Sequence, residues 1–420
     1  MNEDYVLIKK DKLIWKFSFY GLLKNLRFFE PYLIVFLLGL NYSLFTIGIL
    51  YSIREIITYI FEIPSGIIAD NYGKKKELMI CFIFYIISFV LFFFSFNIYI
   101  VSFAFVFYGL GDAFRSGTHK AMIYSYLEKK NWFQYKTYVY GRTRSFSLIG
   151  SSISAFASII FIFNIPSLRW IFLICIIPYI LDFLLIWSYP DYLNESIKTE
   201  FKWSELLKDS KKSIKQINEN KKLKVILVSS SLYDAVFKSI KDYIQPILKV
   251  IIVGSFIGGS QDIKDTKLKI YLGIIYGVFY IFSSFASKNV YRVTNRINSS
   301  KLMELSFDLM GILCLVIFTG IRMNSMLFVI IVFFVIYILK DARRPIFVDV
   351  CGDNMEKSQR ATVLSVDSQI RSFIVIIIAP LFGYIADNYS INILFLIIGV
   401  LILVINRFLR IKKTPTNVEV

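Results

Sequence analysis

The chain has 420 residues, 56% of them hydrophobic and 17% aromatic, with a mean hydropathy of +0.61. Soluble domains are about 45–50% apolar and about 25% charged, so 19% charged residues and long apolar runs exclude an ordinary water-soluble fold. The formal charge is +18, but the cations fall between apolar runs and not on one soluble module, which excludes a nucleic-acid-binding domain; a single histidine excludes a multi-histidine metal centre.

An apolar run of about 20 residues spans a bilayer as a helix. Without period-two alternation these runs are not barrel strands. In chain order they are predicted at 17–38, 45–65, 77–96, 98–120, 137–163 and 168–188, then at 224–254, 268–290, 302–321, 325–348, 361–385 and 391–409. No small-residue cleavage site follows the first run, so it reads as a retained span. Between the sixth and seventh runs lies a polar, lysine-rich stretch from Pro190 to Lys222. It is too short for a core of its own and is expected to rest at the membrane surface, where lysines favour anionic lipid. The fold class is therefore an all-α membrane protein of twelve transmembrane helices, in two six-helix bundles at 1–189 and 223–420 joined by the linker 190–222. Cys81, Cys175, Cys314 and Cys351 show no metal or redox spacing and read as small buried apolar residues. No metal or cofactor is expected.

Charge orients the chain. Lysines and arginines collect in alternate inter-helix segments: Lys9 to Lys16, Lys74 to Lys76, Lys129 to Lys136, the linker, Arg292 to Lys301, Lys357 with Arg360, and Arg410 to Lys413. The intervening loops are nearly bare, apart from Lys264, Lys267 and Lys269 with Asp262 and Asp265. The positive-inside rule then places both termini and the linker in the cytoplasm of a multi-pass cell-membrane protein. Internal symmetry accompanies this layout. Asp112-Ala113-Phe114-Arg115 in the fourth run is matched by Asp341-Ala342-Arg343-Arg344 in the tenth, and Arg144-Ser145-Phe146 in the fifth by Arg371-Ser372-Phe373 in the eleventh. Duplicated halves of this kind are common in secondary transporters.

The segment Gly66-Ile67-Ile68-Ala69-Asp70-Asn71-Tyr72-Gly73-Lys74-Lys75 resembles the loop motif between helices two and three of the major facilitator superfamily. Phe61-Glu62-Ile63-Pro64-Ser65 is similar to the lead-in of bacterial exporters of that group, and Arg360-Ala361-Thr362-Val363-Leu364-Ser365 to the corresponding later loop. The resemblance implies two six-helix bundles working by alternating access. It also implies a gating motif of Gly66, Asp70, Gly73 and Lys74, with Asp70 latching one conformation against Arg142 or Arg144. Gly66 is expected to permit close helix approach and Gly73 a tight turn. Asn71 stands where the family has a basic residue, Phe105 where proton-coupled members place an arginine, and Gly150-Ser151-Ser152 replaces the Gly-Pro motif of drug–proton antiporters. These departures weigh against both proton coupling and the drug-antiporter class.

A charge at mid-bilayer costs at least about 2.5–3.5 kcal/mol, so it faces a cavity or a partner. Arg27 and Glu30 are expected on one face of helix one, ahead of a kink at Pro31. Asp112, Arg115 and His119 share a face of helix four, Asp234 and Lys238 one of helix seven, and Asp341 and Arg344 one of helix ten; Arg371 lies in helix eleven. The family resemblance makes helices one, four, seven and ten the cavity lining. Asp112–Arg115 and Asp234–Lys238 are alternatively internal pairs, and the isolated Asp182 and Asp308 read as structural. Arginine forks suit carboxylates and phosphates, so the cargo is expected to be a small anionic or amphipathic molecule. Glu30, Asp112 or Asp234 is a candidate for proton coupling. Efflux is the leading direction, with uptake of an organic anion or zwitterionic nutrient as the alternative. No catalytic motif of an enzyme is found. A non-transporting sensor on the same fold would tolerate neutralisation of the cavity charges. The bilayer and a small-molecule substrate are the expected partners, and the chain is expected to act as a monomer.

Overall fold

The computed structural model describes residues 3–194, 220–255, 261–289, 297–352 and 360–409. The linker lysines from Lys198 to Lys215, with Arg292, Arg296, Lys357, Arg410, Lys412 and Lys413, lie outside them. In the first part of the chain the helices are α1 (Glu3–Lys10), α2 (Lys12–Leu23), α3 (Leu33–Gly39), α4 (Leu44–Tyr72), α5 (Lys74–Phe93), α6 (Ile98–Arg115), α7 (Thr118–Lys129), α8 (Lys136–Asn164) and α9 (Trp170–Trp187). They are followed by α10 (Lys221–Ile240), α11 (Ile244–Ser255), α12 (Gln261–Asn289), α13 (Ser299–Arg322), α14 (Met326–Gly352), α15 (Arg360–Asn388) and α16 (Ile391–Phe408). Among the described residues, nine of the twelve expected runs are helical segments long and apolar enough to cross a bilayer. The other three are helices one and seven, which are each broken, and helix ten, whose second half carries Lys340, Asp341, Arg343 and Arg344.

Two compact units emerge. One gathers the described residues within Met1–Phe201, Asp242–Ser284 and Ala379–Tyr384; the other those within Lys202–Lys241, Phe285–Ile378 and Ile385–Val420. In the first, α5 packs on α6 and α9, α4 on α6, and α2 on α8. Aromatic edges fill the α5–α9 seam, with Phe89 and Tyr179 at 4.8 Å and Phe92 stacked on Phe172 at 4.7 Å. The second unit is built around α13 with α14 and α16. At one end of that unit Leu223, Ile226 and Leu227 of α10 bury against Met303, Phe347, Val350 and Val363.

Helix one departs from the expected kinked span. The chain leaves the helix at Lys24, passes through tight turns at Asn25 and Leu26, and re-enters only through a 3-10 turn at Glu30–Tyr32. Arg27 and Glu30 therefore do not share a helix face; they sit in and beside a break. Pro31 supplies the cause: it has no N–H to donate and its ring disfavours a helical carbonyl at residue 27. Helix seven breaks similarly at Lys241–Tyr243. Helix four is also interrupted, because Gly117 at φ +77° separates α6 from α7, so His119 does not continue the face of Asp112 and Arg115.

The motif loop divides its two glycines. Gly73 has φ +100° and lies against Asn194, so it is both the turn and a close contact, as expected. Gly66 makes no close approach: a Cβ there would meet nothing within 4 Å. Among the described residues close helix approach is made instead by α2 and α8. There a Cβ on Gly21 would sit 2.7 Å from the Thr143 carbonyl oxygen. Lys75 is buried and donates to the Tyr189 carbonyl at 2.8 Å and to Asp191 at 2.9 Å, clipping the start of α5 to the chain leaving α9. The same ammonium holds the Asp191 carboxyl below its usual range.

Gly73→Ala should lower the melting temperature of the detergent-solubilised protein, since a left-handed backbone costs an L residue about 1–2 kcal/mol. Gly66→Ala should leave it unchanged or raise it, because alanine is the better helix former.

Candidate functional site

The break in helix one leaves backbone polar groups inside a membrane-spanning element, where water cannot satisfy them. Side chains answer them. Tyr179 donates to the Lys24 carbonyl at 3.1 Å, and Arg27 Nε reaches the same oxygen at 3.4 Å. The fully buried Gln245 of α11 accepts from the Ile34 and Val35 N–H groups at 2.9 and 3.2 Å. Its amide nitrogen donates to the Glu30 carbonyl at 3.2 Å and contacts Tyr276 Oη at 3.1 Å; that hydroxyl donates to Asp242 at 2.8 Å. The break is thus a held shape. It presents Lys24 and Arg27, both half-buried, beside Tyr85, Tyr108 and Tyr179.

Asp112 is the hub of the first unit's charges. Arg54 donates to it through Nε at 2.8 Å and through a second nitrogen; Tyr85 Oη donates at 2.6 Å and Arg115 at 3.2 Å. Arg115 Nε also donates to Tyr85 Oη at 2.9 Å, and the Arg54 guanidinium lies 4.4 Å over the Tyr108 ring. The Asp112–Arg115 pair is therefore one edge of a larger network. Arg54, on helix two, was not among the sequence-derived residues; its spacing from Thr58, one helical turn away, was the available signal. Arg27 differs from these arginines. Its one hydrogen bond is the long contact to a carbonyl, and among the described residues no carboxylate lies within 4 Å of it. Two terminal amino groups remain for an acceptor.

The second unit has its own hub, Asp367, also absent from the sequence-derived set. It is fully buried on α15, accepts from Arg344 at 2.9 Å and Ser231 at 3.0 Å, and stands 4.0 Å from Arg371. Asp234 lies 3.7 Å from both Arg344 and Arg371, so its cationic partners are these arginines. Lys238 is half-buried one turn along α10. Asp341 pairs with its neighbour Lys340 at 2.9 Å. Arg343, at Phe114's matching position, is buried between Ser306 and Ser229 with its guanidinium 4.2 Å over Tyr233. Asp308 accepts from Asn406 at 2.7 Å, a structural tie.

His119 is a core residue, stacked 3.7 Å on Tyr20 and 3.3 Å from Tyr189 Oη. Of the gating residues, Arg142 lies 3.9 Å over Trp15 and donates to the Lys9 carbonyl, anchoring the N-terminal helices. Arg144 is exposed on α8 and Lys74 half-buried at the start of α5, while the Asp70 side chain lies outside the described residues. All four cysteines are free and buried. No group of three or more metal-ligating side chains occurs among the described residues.

The Major Facilitator Superfamily family model matches residues 20–336. The chain is 23% identical over 391 residues to the uncharacterized MFS-type transporter YxaM of Bacillus subtilis (strain 168), covering 90% of this chain and 89% of that one. Similar solved structures include the nucleoside transporter NupG, with a TM-score of 0.74, 13% identity and coverage of 96% of this chain and 100% of that one. Another is a D-xylose-proton symporter, with a TM-score of 0.70, 12% identity and coverage of 94% and 96%. At these identities the structural likeness speaks for the fold.

Asp112→Asn should strip two half-buried arginines of their counter-charge and lower the melting temperature, by less than the loss of about 3–5 kcal/mol seen when a fully buried pair is broken. The double variant Arg54→Gln/Asp112→Asn should recover part of that loss in the same melting experiment.

Proposed function

This chain belongs to the major facilitator superfamily of transporters, and we propose that it exports a small amphipathic organic anion across the cell membrane by alternating access. The carrying observation is Arg27. It is a half-buried guanidinium with no carboxylate within 4 Å among the described residues, it sits in the break of helix one, and Tyr85, Tyr108 and Tyr179 lie around it. Arg54 and Arg115 are paired with Asp112, and Arg344 and Arg371 with Asp367 and Asp234. A planar fork with free amino groups fits a carboxylate or phosphate, and aromatic rings fit an apolar body. Broken helices at intramembrane depth are where transporters of this architecture bind cargo.

The outward direction draws support from the Phe61–Ser65 lead-in, and cytoplasmic termini from the distribution of lysine and arginine. The two-bundle division at 190–222 belongs to the same reading, since each half begins with a broken helix. A cargo shifts the equilibrium between outward and inward states only by binding them unequally, so Arg27 is expected to change its surroundings between the two.

A panel of aromatic carboxylates, phosphates, zwitterions, nucleosides and lipophilic cations should separate the possibilities by thermal stabilisation. At a hundred times its dissociation constant a cargo adds about 2.7 kcal/mol. Stabilisation by anions in wild type that is lost in Arg27→Ala supports the reading. Stabilisation by lipophilic cations alone, unchanged in Arg27→Ala, overturns it. Accumulation of the stabilising anion in everted vesicles and not in right-side-out vesicles is the result expected for export.

A further inference from the structure

Asp182 stands apart from every network above. It lies on the inward face of α9, in line with Cys175 and Tyr179, and is completely buried. Neither carboxylate oxygen has a hydrogen-bond partner. The charges that act on it are Lys24, from the break of helix one, and Arg115 of α6. The other titratable groups facing it are Tyr20 of α2, Cys81 of α5, and Tyr189 beyond the end of α9. From α8, Arg144 acts on Lys24 but not among the groups acting on Asp182. Arg115 is already committed to Asp112 and Tyr85. The Lys24 ammonium rests 4.9 Å over the Tyr20 ring, and Tyr20 Oη is itself buried without a partner.

An ionised carboxylate with no donor and no contacting cation is among the costliest groups to bury. A neutral carboxyl in the same place is far less costly to bury than an ionised one. Lys24 belongs to a non-helical segment, so a small change in that segment carries its ammonium toward or away from α9. This supplies two alternative counter-ions for one carboxylate: a proton, or the Lys24 ammonium.

We propose that Asp182 is a proton-binding site of this transporter, occupied in the conformation described here, and that Lys24 is the cation that takes the proton's place. The inference rests on the transporter reading for its purpose and is independent of the cargo class. In the exchange the carboxyl O–H bond breaks, the proton leaves on water, and the carboxylate left behind is matched by the Lys24 ammonium. Because Lys24 and Arg27 share the break, and Arg27 is bonded to the Lys24 carbonyl, an anion drawing on Arg27 moves the segment that carries Lys24. Proton occupancy and cargo occupancy are then linked through one piece of backbone.

The test is infrared spectroscopy of the full-length protein in lipid, titrated with alkali. At neutral pH the wild type should show the carbonyl-stretch band of a protonated carboxyl in a dry setting, and Asp182→Asn should lack it. The band should bleach reversibly on alkalinisation, and in Lys24→Met it should persist to higher pH, since a competing cation has been removed. Asp182→Glu should restore a titrating band. If Asp182→Asn does not fold, the wild-type titration and the Lys24→Met shift decide alone. A spectrum unchanged by Asp182→Asn, or a band whose titration ignores Lys24→Met, overturns the proposal. A titrating, Lys24-sensitive band together with a panel in which no anion stabilises the protein would leave the proton site standing and sink the cargo reading instead.

Discussion

Helix one cannot stay helical through Lys24–Phe29, and the backbone groups released there have no water to turn to. Much of the first unit follows from that constraint. Tyr179 is held where its hydroxyl meets the Lys24 carbonyl, and Gln245 where one carboxamide answers two N–H groups and a carbonyl. Each unanswered group in an apolar setting would cost several kcal/mol, so these side chains are committed. The break survives because it is satisfied, and it leaves Lys24 and Arg27 presented on non-helical backbone.

Charge burial is handled in two distinct ways. Asp112 and Asp367 are hubs, each gathering arginines and a hydroxyl, so their networks satisfy themselves. Removing one member would expose the rest, which makes the hubs structural before they are anything else. Arg27 and Asp182 are the opposite case, a cation and a carboxyl each lacking a counter-ion in contact. Such residues persist in membrane-spanning helices when something transient completes them.

The duplicated signature in helices four and ten shows how far internal symmetry reaches. Asp112 and Asp341 occupy matching motifs, yet the first binds Arg54, Arg115 and Tyr85 while the second pairs with its neighbour Lys340. In the second unit the hub moved to Asp367, one helix along. Phe114 gave way to the buried Arg343, which took Ser306, Ser229 and the Tyr233 ring as its surroundings. Helices one and seven are both broken, while the charge pairing around helices four and ten differs.

The amino-acid sequence by itself determined the class, the order of the membrane-crossing runs and the glycine turn at Gly73, because length, hydropathy and a motif spacing are local properties of the chain. Arg27, Arg115 and Arg344 were legible as intramembrane cations for the same reason. Which of them is already paired was not legible, because pairing joins residues far apart in the chain: Arg54 with Asp112, Arg344 with Asp367, Lys75 with Asp191. Gly66 looked like a packing glycine, yet no described residue lies within 4 Å of where its Cβ would be; His119 looked like part of a charged face and is stacked in the core on Tyr20. Asp182 looked inert because nothing near it in sequence answers it, and in three dimensions nothing touches its oxygens either. Tertiary structure alone decided these outcomes, since whether a buried charge is satisfied depends on what the other helices bring to it.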